Sequence, residues 1–251
     1  MAVSTLADLI HSGAPPNVVK LDIRRRPDMK DSIARSLRPV QPLLGGITAS
    51  CVVAFTVLTG LVASHWPVLS AGDRAAEVAA HGDVLTQHWL LIAARTATAI
   101  GSPVVVDVVA AVVVVGLLVV KWWHAAVVVA LARGGELACE STVKVLVARP
   151  RPALVHPVAS ASGYSFPSGH AGGSAAVYGA LTLVVLAWVA RRARLMLATG
   201  IALLVGAVAV SRVLLGVHYP SDVAAGVALG LAWVSGAALV VNLLRDIGGN
   251  E

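Results

Sequence analysis

Long apolar runs separated by short polar joints dominate the chain from about residue 43 to residue 245. The runs do not alternate apolar and polar positions as half-buried strands do, and most are close to the roughly 20 residues that a helix needs to cross a bilayer. In lipid every backbone N–H and C=O must be paired within the structure, which favours helices over open strands. The pattern predicts an all-α bundle of six membrane-spanning helices, at about 45–64, 104–120, 125–148, 170–190, 195–215 and 223–244.

A shorter apolar stretch at 85–100 carries Gln87, His88 and Arg95. Its length and polar side chains predict a helix that lies in the membrane interface rather than a further span. Six spans also give a clear charge asymmetry, because 12 Lys and Arg residues then fall on one side of the membrane and four on the other. Since Lys and Arg are enriched in cytoplasmic loops, we expect both termini to be cytoplasmic.

Composition agrees with a single membrane-embedded domain. Of the 251 residues, 57% are hydrophobic and only 13% are charged, whereas a soluble domain has about a quarter charged residues. The net charge of +6 includes clusters that flank the predicted spans, so we interpret it as a topology signal and expect no nucleic-acid partner. Cys51 and Cys139 lie within predicted spans and have neither a disulfide framework nor a metal-ligand spacing.

The charge pattern divides the chain into a cytoplasmic basic tail, 1–42, and a membrane-embedded domain, 43–251. The tail contains three consecutive arginines, Arg24–Arg26, and is expected to be disordered or to lie on anionic lipid. The first apolar run begins too late for a cleavable signal peptide, so we expect it to act as an uncleaved anchor. The chain is therefore expected to be a multi-pass protein of the cell membrane.

Three polar segments interrupt the apolar pattern on the predicted extracytoplasmic face. They are KVLVARPRP at 144–152, FPSGHA at 166–171 and SRVLLGVHYPSD at 211–222. The second segment begins a predicted helix, and a helix N-terminus offers unpaired backbone N–H groups to an anion. Charged residues at the membrane edge are costly, so their convergence at three junctions on one face predicts a functional site.

The polar residues of these segments suit phosphoryl transfer. Cationic side chains and oriented N–H groups can neutralise the phosphoryl oxygens without a metal ion. One histidine can act as the nucleophile, a second can protonate the leaving oxygen, and a carboxylate can orient the nucleophile. The candidates for binding the phosphoryl oxygens are Lys144, Arg151, Ser168, Gly169 and Arg212. The two histidines are His170 and His218, and the carboxylate is Asp222.

A further set of charges follows the predicted span 125–148 at helical spacing. It comprises Arg133, Glu136, Glu140 and Lys144, with Glu140 four residues before Lys144, the favourable order for an ion pair. We interpret the set as a paired polar stripe that faces the bundle interior, with a proton path as the alternative. Asp107, near the outer end of its span, is expected to be an interfacial acid rather than a ligand.

The three segments resemble the three-part signature of the type 2 phosphatidic acid phosphatase superfamily, which also includes vanadium-dependent haloperoxidases. The order and internal spacing match at every motif position, and the resemblance covers roughly 125–244. The matching residues are Lys144-x6-Arg151-Pro152, Pro167-Ser168-Gly169-His170 and Ser211-Arg212-x5-His218-x3-Asp222.

This resemblance implies a role for each residue of the site. His218 would attack phosphorus and form a phosphohistidine, and Asp222 would orient it. His170 would act as general acid for the leaving group and then as base for the hydrolytic water. The phosphate oxygens would be held by Lys144, Arg151, Ser168, the N–H of Gly169 and Arg212. The resemblance implies no metal and no other cofactor.

The sequence thus predicts a membrane lipid phosphatase whose active site faces the extracytoplasmic side. Undecaprenyl or another polyprenyl diphosphate is the first expectation for its substrate, by analogy within the family. The alternatives are a phosphatidylglycerophosphate phosphatase, a phosphatidate phosphatase, or a phosphotransferase that acts on lipid phosphates. A vanadate-binding haloperoxidase and a non-catalytic lipid-binding or transport protein are rival classes. The sequence does not indicate an oligomeric state.

Overall fold

Helices follow the apolar runs closely in the computed structural model, which describes residues 41–154, 157–186 and 189–248. Within these ranges the chain forms α-helices and no β-strand, so the predicted all-α class is confirmed. The helices are α1 (Gln41–Ala63), α2 (Pro67–Thr86), α3 (His88–Ile100), α4 (Pro103–Val119), α5 (Trp123–Val147), α6 (Gly169–Leu186), α7 (Arg191–Leu214) and α8 (Pro220–Gly248).

Five stretches of the described chain are long and apolar enough to cross a membrane, which supports a multi-pass membrane protein. Helix α5 is not one of them, because its charged stripe interrupts the apolar sequence, so the predicted layout of six spans is not confirmed. Helix α5 nevertheless lies within the bundle, where it packs against α4, α6 and α8. The five stretches are Gln41–Ala63, His88–Val119, Gly169–Leu186, Arg192–Leu214 and Pro220–Arg245.

The predicted interfacial segment 85–100 contains the end of α2 and the whole of α3, which is separated from α4 by a break at Gly101 and Ser102. The Ser102 side chain caps α4 by accepting a hydrogen bond from the backbone N–H of Val105, and Pro103 follows it. Together α3 and α4 are about 48 Å long at about 1.5 Å per residue, more than a hydrocarbon core of about 30 Å requires. The interfacial position of α3 stays a prediction.

Helix α2 was not anticipated from the hydrophobic pattern. It begins at Pro67 and is amphipathic, with Asp73, Glu77 and His81 buried on one face together with Val84. These residues recur every three or four positions, which is the spacing of one helix face. The helix therefore directs polar side chains, rather than a purely apolar stripe, into the protein.

Helix α8 occupies the centre of the bundle and packs against α6, α1 and α5. Its contact with α6 is close because glycines lie where the two backbones meet. A Cβ atom on Gly226 would overlap the carbonyl oxygen of Ser168, and one on Gly230 would overlap that of Gly172. The glycines thus allow the N-terminal ends of α6 and α8 to lie side by side.

Two further predictions from the sequence concern the basic tail and the cysteines. The basic tail, 1–42, lies outside the described residues except for Gln41 and Pro42, which begin α1, so the division into two regions remains a prediction. Cys51 and Cys139 are both free and only partly buried.

Candidate active site

The three polar segments meet at one end of the bundle, where α5 ends, α6 begins and a short turn joins α7 to α8. Hydrogen bonds connect them directly, and two of these end on backbone carbonyl groups. The backbone N–H of Ser168 donates to the carbonyl oxygen of Asp222 at 3.0 Å, and Nη1 of Arg151 donates to the carbonyl oxygen of Val217 at 2.8 Å. Residues that are far apart in the sequence therefore line one site.

His218 lies in the turn between α7 and α8 and is only 2% exposed. Its Nε2 atom is 3.1 Å from Nη1 of Arg151. A guanidinium group can only donate hydrogen bonds, so Nε2 must be the acceptor and the ring proton must lie on Nδ1. Nδ1 faces Oδ2 of Asp222 at 3.4 Å, a distance that a catalytic hydrogen bond often has before the substrate binds.

The electrostatic surroundings keep the His218 ring uncharged at neutral pH. Burial lowers the pKa of His218 to about 4, although the carboxylate of Asp222 acts in the opposite direction. The charges of Arg151 and Arg212 lower this pKa further. Nε2 is therefore unprotonated at neutral pH, and its lone pair, which accepts from Arg151, is the one that a nitrogen nucleophile requires.

Arg151 is held in place by backbone carbonyl groups. Its Nε donates to the carbonyl oxygen of Gly163 at 3.0 Å, and its Nη2 donates to those of Ser162 and Tyr164 at 3.0 and 3.1 Å. Burial lowers the pKa of Arg151, but an arginine remains charged at neutral pH. The loop before α6 thus fixes a permanent positive charge beside Nε2 of His218.

Besides Nδ1 of His218, which faces Asp222 at 3.4 Å, two buried polar atoms of this site have no hydrogen-bond partner in the protein: Oγ of Ser168 and Nε of Arg212. Ser168 directly precedes α6, whose N-terminus begins at Gly169. The other end of the Arg212 guanidinium is fixed, because Nη1 donates to Oγ1 of Thr98 on α3 at 2.6 Å. Buried polar atoms are rarely left unpaired, and an anion bound here would pair both. We call the five predicted phosphate-binding residues the phosphate cradle: Lys144, Arg151, Ser168, Gly169 and Arg212.

His170 lies in the first turn of α6, where the positive charges of Lys144, Arg151 and Arg212 act on it electrostatically. Lys144 forms an ion pair with Glu140, as the sequence predicted. A Cβ atom on Gly169 would overlap the same carboxylate, so Glu140 fills the space beneath the N-terminus of α6. The structure thus brings all eight predicted site residues to the same end of the bundle.

The charged stripe on α5 is paired inside the bundle. Nη1 of Arg133 lies 2.5 Å from Oε2 of Glu136, and Nε of Arg133 lies 2.6 Å from Oδ1 of Asp107 on α4. Asp107, which the sequence analysis interpreted as an interfacial acid rather than a ligand, is half exposed and is the ion-pair partner of Arg133. The pairing agrees with a polar stripe that faces the bundle interior.

The structure adds three residues to which the motifs gave no role, Asp73, Arg149 and Ser221, and they lie around the motif residue Asp222. Nη1 of Arg149 donates to Oδ1 of Asp222 at 2.5 Å, and Nη2 donates to Oδ2 of Asp73 on α2 at 2.7 Å. Asp73 also accepts hydrogen bonds from the backbone N–H and the hydroxyl of Ser221, at 3.0 and 2.5 Å. We call Asp73, Arg149, Ser221 and Asp222 the acid brace. Burial lowers the pKa of Arg149, but the two carboxylates outweigh this effect and raise it overall.

Part of the acid brace had a signal in the sequence. Arg149 is the first arginine of the RPRP run, two positions before the motif residue Arg151. Asp73, Glu77 and His81 follow one another at intervals of four, which places three polar groups on one face of a helix. Neither pattern indicates the partner, because Asp73 and Ser221 are 148 positions apart.

Comparison with protein families finds a match to the PAP2 superfamily over residues 121–246. This stretch contains the whole of α5 to α7 and most of α8, with all eight predicted site residues. The family resemblance that the motifs indicated is therefore confirmed.

Relatives and solved structures agree with this match. Two strains of Mycobacterium tuberculosis have proteins named decaprenylphosphoryl-5-phosphoribose phosphatase, each 40% identical over 117 residues. That alignment covers 43% of this chain and 53% of the relative, so the chain spans about half the length of the curated relatives it matches. A transmembrane PAP2-type phosphatidylglycerolphosphate phosphatase from Bacillus subtilis has the same fold, with a TM-score of 0.68 and 24% identity over 80% of this chain and 96% of that one.

Proposed function

The chain belongs to the PAP2 superfamily, and from this premise and the geometry of the site we propose that it is an integral-membrane lipid phosphatase that hydrolyses phosphoric ester or diphosphate bonds. One observation carries the proposal: the buried, unpaired Ser168 Oγ and Arg212 Nε lie in the same site as an uncharged His218. An anionic phosphate would form hydrogen bonds with these two atoms, and Nε2 of His218 has the lone pair that can attack its phosphorus.

In the first step of the proposed reaction, Nε2 of His218 attacks phosphorus and forms an N–P bond while the bond between phosphorus and the lipid oxygen breaks. His170 donates a proton to the departing oxygen. The leaving group is an alcohol when the substrate is a phosphate ester and a lipid monophosphate when it is a diphosphate. The Nδ1–H of the resulting phosphohistidine faces Asp222, whose carboxylate stabilises the positive charge that develops on the ring. The phosphate cradle neutralises the phosphoryl oxygens throughout, so the mechanism uses no metal ion.

In the second step, water attacks the phosphorus and His170 accepts its proton. The N–P bond breaks, inorganic phosphate leaves, and His218 returns to the uncharged form with its proton on Nδ1. The same residue thus acts first as an acid and then as a base.

An amphiphilic substrate is supported by the position of the site at one end of an apolar bundle. The Mycobacterium tuberculosis relatives are named for a decaprenyl-linked phosphoribose, and their 40% identity over 117 residues supports a substrate of this kind. We therefore propose a polyprenyl-linked phosphate as the substrate class, of which undecaprenyl diphosphate is one member.

The proposed orientation places this end of the bundle on the extracytoplasmic side of the cell membrane. Support comes from the basic residues at the opposite end, which include Lys121 between α4 and α5, Arg192 in the first turn of α7 and Arg245 near the end of α8. The proposal includes α5 as a sixth span, since its stripe is paired within the bundle and α5 packs against α4, α6 and α8.

The test is phosphate release by the purified full chain in detergent, with chelator present, from a matched panel of lipids. The panel contains a polyprenyl diphosphate, a polyprenylphosphoryl phosphoribose, phosphatidylglycerol phosphate and phosphatidate. We expect release without added metal and the highest kcat/KM for a polyprenyl substrate. A preference for a glycerolipid would overturn the substrate class, and no release from any lipid would overturn the proposed activity.

A further inference from the structure

We propose that Arg149 and Asp73 are positioning residues for the reaction, since they hold the Asp222 carboxylate in the orientation that serves His218. This inference rests on the proposed function. It extends the site to α2, which lies outside the three motifs and outside the part of the chain that matches the family.

The contacts of Arg149 connect two carboxylates through one guanidinium group. Nη1 donates to Asp222 at 2.5 Å and to Oγ of Ser221 at 2.7 Å, while Nη2 donates to Asp73 at 2.7 Å. The same guanidinium lies over the ring of Tyr219, with its carbon atom 4.1 Å from the ring centroid. These contacts fix the planar group on several sides, which a single ion pair would not do.

The two carboxylate oxygens of Asp222 therefore have different partners. Oδ1 accepts from Arg149, whereas Oδ2 accepts from the backbone N–H of Tyr219 at 2.9 Å and faces Nδ1 of His218. Without Arg149 the carboxylate could rotate and turn Oδ2 away from the ring. Orientation of a histidine by a fixed carboxylate is the general requirement for this kind of nucleophile.

Asp73 acts one step further from the reacting atoms. It keeps Arg149 in place and also accepts from the N–H and hydroxyl of Ser221 at the start of α8. The side chains of Asp73 and Asp222 are 2% and 0% exposed, and that of Arg149 is 12% exposed. Three charges removed from water in this way depend on one another, because the loss of one leaves another buried without a partner.

Arg149 also offsets the negative charge that Asp222 presents to His218. The other groups that face His218 are Arg151 from the loop after α5, Arg212 from α7 and His170 from α6. If Arg149 is removed, the uncompensated carboxylate favours the protonated ring, and Asp222 itself binds a proton more readily. Both effects move the acid limb of the pH profile toward higher pH.

The experiment measures kcat, KM and the pH profile of the purified full chain with whichever lipid of the panel the unaltered protein hydrolyses. For Arg149→Gln we expect kcat to fall about 100-fold with KM within about threefold of the unaltered value, because the Arg149 guanidinium donates to Asp73, Ser221 and Asp222. The acid limb should move up by about one pH unit. Arg149→Lys keeps the positive charge but loses the planar guanidinium that donates to several partners at once. We expect kcat to fall about tenfold, with a smaller shift of the acid limb of the pH profile.

A double-mutant cycle tests whether the two residues act together. We expect Asp73→Asn to lower kcat about tenfold and Asp73→Asn combined with Arg149→Gln to be no worse than Arg149→Gln alone, since both changes break the same link. The matched controls are Asp83→Asn on the exposed side of α2 and Arg192→Gln at the opposite end of the bundle, and both should retain the unaltered kcat and pH profile.

The outcomes separate this inference from the proposed function. If the unaltered protein releases no phosphate from any lipid, the proposed function fails. If it is active, but folded Arg149→Lys and Arg149→Gln have its kcat and pH profile, the positioning role is wrong and the function stands. If neither Arg149 variant elutes as a folded protein, Ser221→Ala decides: a lower kcat with a shifted acid limb supports the role, and an unchanged profile overturns it.

Discussion

The two sides of His218 differ in how their polar atoms are paired. In the phosphate cradle, Ser168 and Arg212 each keep a buried polar atom without a partner in the protein. In the acid brace, all four carboxylate oxygens of Asp73 and Asp222 accept at least one hydrogen bond. An unpaired buried polar group costs about 1–3 kcal/mol, so the cradle gains most from a bound anion, whereas the brace gains nothing. The pairing therefore agrees with the proposed division between atoms that meet the substrate and atoms that hold the nucleophile.

The largest effect is expected at His218, which lies between the two sides. His218→Ala removes the attacking nitrogen and should lower kcat at least about 10⁴-fold in a phosphate-release assay. The control is His88→Ala, an exposed histidine at the start of α3, which should keep full activity. An active His218→Ala protein would show that the cradle works without this nucleophile.

The second largest effect is expected at His170 and depends on the leaving group. His170→Ala should slow hydrolysis of a lipid alcohol ester by about 10²-fold to 10⁴-fold, because a poor leaving group needs a proton. An aryl phosphate, whose leaving group needs no proton, should be slowed much less. Equal slowing of the two substrates in parallel kinetics would contradict the acid role.

Two buried serines test the comparison most directly. Ser168→Ala removes a hydroxyl that has no partner, so it should lower kcat/KM about tenfold without lowering the melting temperature. Ser221→Ala breaks hydrogen bonds to Asp73 and Arg149 and should lower the free energy of unfolding by about 1–3 kcal/mol with little change in KM.

The test is to measure the melting temperature, kcat and KM of both serine variants in the same detergent. Loss of stability in Ser168→Ala would mean that its hydroxyl has a partner inside the protein. A raised KM in Ser221→Ala would mean that the acid brace reaches the substrate.

The smallest effect is a displaced pH profile in the unaltered protein. The pKa of His218 is about 4, below the ordinary histidine value of about 6.5, so the ring stays uncharged as pH falls between these values. The acid limb of kcat/KM should therefore have its midpoint below about 5. A midpoint at 6.5 or above would mean that the carboxylate of Asp222 outweighs burial.

The sequence indicated where the residues of the phosphate cradle lie better than where those of the acid brace lie, and the reason is physical. The cradle residues occur at helix ends within three short segments, where the spacing alone places Ser168 and His170 at a helix N-terminus. The brace depends on a contact between α2 and the start of α8, and a single sequence does not indicate which distant residue will accept from Arg149. The same limit explains why Asp107 was not recognised as the partner of Arg133.

The helices were predicted where the apolar pattern was strong. All six long runs form helices with ends within a few residues of the predicted ones. Helix α2 was missed because its buried face is polar, so its burial depends on partners that α8 and Arg149 supply. Helix α5 forms as predicted, but its four charges keep it from qualifying as a span on apolar composition alone.

The close contact between α6 and α8 has a consequence for the behaviour of the protein in different bilayers. Transmembrane helices tilt when the thickness of the surrounding lipid changes. The backbone N–H of Ser168 donates a hydrogen bond to the carbonyl oxygen of Asp222. The backbone of Gly226 also lies so close to Ser168 that a Cβ atom would not fit between them, so the two helix ends are joined at the site. We expect them to tilt as one unit, which keeps the distance from the phosphate to the nucleophile constant in thin and thick membranes alike.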